Sequence, residues 1–184
     1  SNFGDDLRFF IPWRYVKNND YYFRASDYPS ELRLTKTFRD LEANVAWLMY
    51  HELGHANDFF PPSSWNNISL QTSPLAHANI NDAASISFSE TYPLHSSVLL
   101  GTAKVSFTGE TATSEQKALT AVNIADEFKP DNAVAYYSYS TIREDYATLF
   151  ERFMMAYRLG VSADVAVISQ INNDDLIVTW GQRD

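Results

Sequence analysis

His51, Glu52 and His55 are the residues of this chain best suited by type and spacing to do chemistry, because residues 51 to 55 spell a complete H-E-x-x-H. On a helix, positions i and i+4 lie one turn apart on one face, so two imidazole nitrogens can address one ion. Zinc takes nitrogen ligands at about 2.0–2.1 Å and keeps a position open for water when three protein groups hold it. Glu52 follows the first histidine directly, which points it toward that open position, where it can take a proton from the water. Two surface histidines and a solvated glutamate would give the same letters. The residues upstream, Val45 through Tyr50, are largely apolar, however, and predict a buried helix in which an unpaired glutamate is costly. One metal ion is therefore expected, with a third ligand from elsewhere in the chain.

Composition limits what that ion can serve. The chain has 184 residues, 45 % of them hydrophobic and 15 % aromatic, enough for one well-packed domain over residues 1–184. Fourteen basic against 23 acidic residues give a net charge of −9, which argues against a nucleic-acid partner and favours neutral or basic substrates. No run of 18 apolar residues exists, so no membrane span is expected. Without cysteine, any transition metal must be held by histidine and carboxylate. Ser1-Asn2 resembles the remnant of a removed tag, and the chain reads as a piece of a longer protein. Few lysines and loops rich in Ser, Thr and Asn fit an extracytoplasmic setting, whether secreted, periplasmic or lipoprotein-anchored.

The element that must carry the histidines is a long helix. Thr37 to Asp40 resembles a capping box, and Phe38, Leu41, Val45, Leu48 and Met49 follow at helical spacing as a core stripe. The pattern runs to about Asp58 and stops before Pro61-Pro62. Gly54 is unfavourable inside a helix, so it is expected where another backbone comes close or the site needs room. Asp58 either orients a ligand or is solvated.

Around this helix the ends of the chain read as strands. Leu7 to Ile11, closed by Pro12, is one; Arg14 to Arg24 reads as a hairpin turning at Asn18 to Asp20; Val165 to Ser169 and Leu176 to Trp180 read as another. Ser114 opens a second helix containing Leu119, Val122 and Ile124. Thr141 to Glu144 forms a capping box for a third, with Tyr146, Leu149, Phe150, Phe153, Met154 and Tyr157 as its core stripe and Gly160 as its C-terminal cap. Residues 61–112 are the least legible, and their histidines, His77 and His95, read as surface or loop residues. Asn67-Ile68-Ser69 matches an N-glycosylation acceptor.

A catalytic zinc needs one more protein ligand. A metzincin would have Gly at 58 and His at 61, where this chain has Asp58 and Pro61; the aspzincin pattern after Gly101-Thr102 fails as well. The remaining common arrangement is two histidines with a glutamate from a later helix. At that point the chain resembles a known family. Glu144-Asp145-Tyr146-Ala147-Thr148-Leu149-Phe150 is similar to the Glu-x-x-Ala-x-x-Phe helix of gluzincin zinc peptidases, especially the anthrax lethal factor type, and His51 through Ala56 with Asp58 is similar to that type's first helix. The resemblance covers about 30 residues. It implies metal ligands at His51, His55 and Glu144, a general base at Glu52, and an oxyanion-stabilising tyrosine at Tyr137. The family often has a carboxylate four residues after the third ligand; here that position is Thr148, leaving Asp145, Glu151 or Asp58 to support the histidines.

The expectation is thus an α+β, zincin-like protein: a small antiparallel sheet packed on the H-E-x-x-H helix, with further helices across a cleft. Its expected function is a zinc-dependent endopeptidase acting on protein or peptide substrates. The alternative is a non-catalytic zincin-like binding module whose metal is structural or absent.

Overall fold

Ala43, Trp47, Gly54 and Asp58 recur at helical spacing, and they mark the face that the longest helix, α1 (Phe38–Phe59), turns to the interior. The computed structural model describes residues 7–17, 20–24, 38–69, 71, 73–78, 82–131, 133–169 and 175–180, most strand residues by backbone alone. Four strands, β1 (Leu7–Lys17), β2 (Asp20–Arg24), β3 (Ser162–Ser169) and β4 (Asp175–Trp180), are traced as an antiparallel ladder in the order β2-β1-β3-β4. Strand β1 continues through Pro12, and its pairing with β3 shifts register between Pro12 and Arg14, where the proline has no N–H to donate.

Between the strands lie α1, α2 (Ala84–Thr91), α3 (Ser97–Ala103), α4 (Ser114–Lys117), α5 (Ala121–Phe128) and α6 (Ile142–Leu159). Of the residues described with their side chains, 71 % are helical and 1 % strand, so the body that carries the candidate site is all-helical. The expected α+β architecture, with a sheet packed on the H-E-x-x-H helix, is corrected on this point. What covers the inner face of α1 is another helix, α6. The reason lies at Gly54, where a Cβ would stand only 2.9 Å from the Ala147 Cα and 3.2 Å from the Ala147 Cβ. Two small residues let two helix backbones approach, and helix-on-helix packing fills the face expected to receive a sheet. The backbone-only strand residues contribute no described side chain to the site.

This crossing also sets the rotation of both helices. Phe38, Leu41, Val45, Leu48 and Met49, expected as the core stripe of α1, are all more than half exposed, the least being Val45 at 51 %. On α6, Phe153 and Tyr157 face outward, while Ala147, Thr148, Glu151, Arg152 and Met155 are buried. The apolar stripe read for α1 is thus not the face on which it packs, whereas on α6 Tyr146, Leu149, Phe150 and Met154 are half-buried and only the end of the stripe turns outward.

A second cluster, centred on Leu99, Ile124, Phe128, Tyr136 and Tyr139, ties α3 and α5 to a 3-10 turn at Tyr136–Tyr139. The single helix expected after Ser114 is broken in two: Thr120 and Asn123 form a capping box that starts α5 afresh. Helix α3 runs into a π-helical turn, Lys104–Thr108, which closes at Gly109 with φ of 79°. Among the described residues no helix is long and apolar enough to cross a membrane.

Candidate metal centre

The site forms where the last two turns of α1 face the first turns of α6. Thr141 accepts a hydrogen bond from the Glu144 N–H at 3.1 Å, which caps α6 and sets Glu144 in its first turn. The Glu144 carboxylate does not fold back to complete a capping box. Its Oε2 lies 3.0 Å from His51 Nε2 and 3.3 Å from His55 Nε2. One ligand atom from each of His51, His55 and Glu144 lies within 4.8 Å of the other two. Atoms bound at about 2.0–2.1 Å around a tetrahedral zinc sit about 3.3 Å apart, a spacing close to the two separations from Glu144 Oε2. The three residues could hold one metal ion. Among the described residues this is the one such group.

The imidazole of His51 spans two turns of α6. While Nε2 faces Glu144, Nδ1 lies 3.0 Å from Glu151 Oε2. Burial disfavours the imidazolium, but the hydrogen bonds and charges of Glu151 and Glu144 outweigh it and hold His51 above its ordinary value of 6.5. Glu151 in turn lies 3.3 Å from Arg152 Nε through its other oxygen, with both side chains buried.

Of the three carboxylates left open as supports, Glu151 is therefore the one in contact with a histidine. Asp58 is neither a histidine partner nor solvated: 1 % exposed, its Oδ1 accepts the Ser85 N–H at 2.7 Å and holds the start of α2. Asp145 lines a separate cavity of about 350 Å³ with Ser138 and Tyr139. His95 stands 70 % exposed, its backbone N–H bonded to Asp131, and His77 closes the turn at Pro74–His77. Neither joins the centre.

Tyr137 sits on the rim. Its ring centroid is 6.1 Å from that of His51, and Phe107, carried by the π-helical turn, meets it edge-on at 5.2 Å. Burial, then the charge of Glu144 and a hydrogen bond to it, then the charge of Glu52, all raise the Tyr137 pKa, so the phenol remains a donor. Glu52 is exposed on the same side of α1. A cavity of about 300 Å³ opens against His51, walled by Trp47, Leu48, Ala135 and Tyr137 and floored by Thr148, Glu151 and Arg152. Sequence reasoning passed over Trp47 and placed Leu48 in a core stripe, although they lie four and three residues before His51 and hence on its face of the helix. No local signal marks Arg152 or Phe107, which arrive from distant segments.

Comparison with known proteins adds no relative: no family model matches the chain, and no curated protein and no solved structure matches it.

Proposed function

We propose that this chain is a zinc-dependent endopeptidase of the gluzincin type, hydrolysing peptide bonds in protein or peptide substrates. The observation that supports this reading most is the meeting of Glu144 with both histidines of the H-E-x-x-H, across 93 residues of sequence from His51. Two imidazole nitrogens and one carboxylate oxygen, with no cysteine in the chain, make a donor set that suits zinc with one position left open. When bound, zinc supplies a Lewis acid that brings the pKa of the attacking water toward neutrality and polarises the scissile carbonyl.

The chain's own residues do the rest. Glu52 accepts the proton of the water as it attacks, then delivers it to the leaving amine. Tyr137, kept protonated by its anionic neighbours, donates its O–H to the carbonyl oxygen as charge develops there. The apolar wall of Trp47, Leu48 and Ala135 receives a substrate side chain next to the bond being cut.

Purified protein reconstituted with zinc should cleave casein or a mixed peptide library. Glu52→Gln should retain one equivalent of zinc and lose cleavage by about 10²–10⁴-fold. Cleavage by Glu52→Gln at the parental rate refutes the mechanism. One equivalent of zinc without turnover in the parent would instead support a non-catalytic binding module.

A further inference from the structure

We infer that Glu151 is the positioning residue that fixes the tautomer of His51 and so sets the strength of metal binding, with Arg152 holding Glu151 in place. The inference rests on the metal-site reading above but not on peptidase activity. A neutral imidazole carries one proton and one lone pair, and only the lone pair can bind a metal. A carboxylate can only accept, so Glu151 Oε2 at 3.0 Å requires the hydrogen on His51 Nδ1. Without metal, Glu144 Oε2 at 3.0 Å takes a second hydrogen, from Nε2; an ion bound between Glu144 and His55 would replace that hydrogen and use the Nε2 lone pair, because Glu151 keeps the other hydrogen on Nδ1.

Helix geometry explains why the support comes from this position. Glu144, Thr148 and Glu151 stand at i, i+4 and i+7, on one face of α6. Thr148 occupies the middle step, buried, and its hydroxyl has no hydrogen-bond partner. A threonine is too short to span to α1, so the contact falls to the next turn, where a glutamate reaches the far nitrogen of the ring. Glu151 has one oxygen for His51 and the other 3.3 Å from Arg152 Nε, so the guanidinium balances its charge without competing for Oε2. Side-chain exposures of 4 % and 5 % show that both groups are largely buried, where charged contacts are stronger than in water.

The test is zinc affinity, measured in the full chain by competition with a chromogenic chelator at constant pH. Glu151→Ala should weaken zinc by about 10–100-fold. Glu151→Gln preserves shape and can still accept through its amide oxygen, so it should lose less, about tenfold. If Glu151→Ala fails to fold, the Gln variant decides. Met155→Ala, which damages the same helix interface away from the ligands, should lose stability while keeping parental zinc affinity. In the zinc-loaded parent the His51 Nδ1 proton should be protected from exchange in proton NMR, and in Glu151→Ala it should not. Zinc affinity of folded Glu151→Gln within twofold of the parent overturns the inference. A parent that takes up no zinc overturns instead the metal site on which it rests.

Discussion

Replacing Gly54 with alanine tests the packing and the metal centre together. The new methyl carbon would stand 2.9 Å from the Ala147 Cα and 3.2 Å from the Cβ atoms of Ala147 and Phe150. Carbon atoms rest at about 3.5–4.0 Å, so α1 and α6 must part by about 0.6–1.1 Å at the crossing. The nearest obstacle is backbone, which cannot swing aside. Overpacking of this kind costs about 1–3 kcal/mol, while alanine in place of glycine inside a helix returns about 1 kcal/mol. The net loss of stability is therefore modest, about 0–2 kcal/mol. Metal binding should suffer more. Ala147 lies one turn beyond Glu144, and metal–ligand distances tolerate only about 0.2 Å. Helix separation of the required size pulls the Glu144 carboxylate out of bonding reach, and zinc affinity should fall at least about tenfold, or about 1.4 kcal/mol. Urea denaturation of the metal-free protein reads the first quantity and chelator competition the second. A Gly54→Ala protein that binds zinc as tightly as the parent would refute the claim that this helix crossing positions the third ligand.

Other consequences are as direct. Tyr137→Phe should lower kcat by about 10²–10³-fold while zinc content and KM stay near parental; an unchanged kcat in steady-state assays removes Tyr137 from the mechanism. Asp58→Ala leaves the buried Ser85 N–H without its acceptor and should cost about 1–3 kcal/mol in urea denaturation, with little change in zinc affinity. Because the His51 pKa is raised, its contribution to stability is fully present below 6.5 and is lost as pH rises through the raised value. Metal-free protein should therefore lose urea stability as pH rises above 6.5, and Glu151→Gln should flatten that slope. An equally steep slope in the variant would contradict the assignment of Glu151 as a cause of the shift.

Short-range features were legible without the fold. The i, i+4 spacing of His51 and His55 belongs to any helix, and so does the need for a reason behind Gly54, which proves to be the close approach of Ala147. The stop before Pro61 and the left-handed cap at Gly160, φ 65°, follow from backbone chemistry alone. Period alone did not say which way a helix faces. The stripe from Phe38 to Met49 is apolar, yet it points outward, because the narrow waist at Gly54 and Ala147 governs how α1 and α6 seat against each other.

Sequence by itself determined that two histidines stand on one helix face, able to address one ion, since residues four apart are fixed in space by the helix they share. The resemblance of the Glu144 helix already pointed to the third residue; tertiary structure decided how the rest of the chain surrounds the pair. It brought Glu144 to both imidazoles, chose Glu151 over Asp58 and Asp145 as the support of His51, and set a helix rather than a sheet against α1. Those choices depend on the rotation and depth of one helix against another, which are settled by contacts among residues about 90 positions apart and leave no local trace.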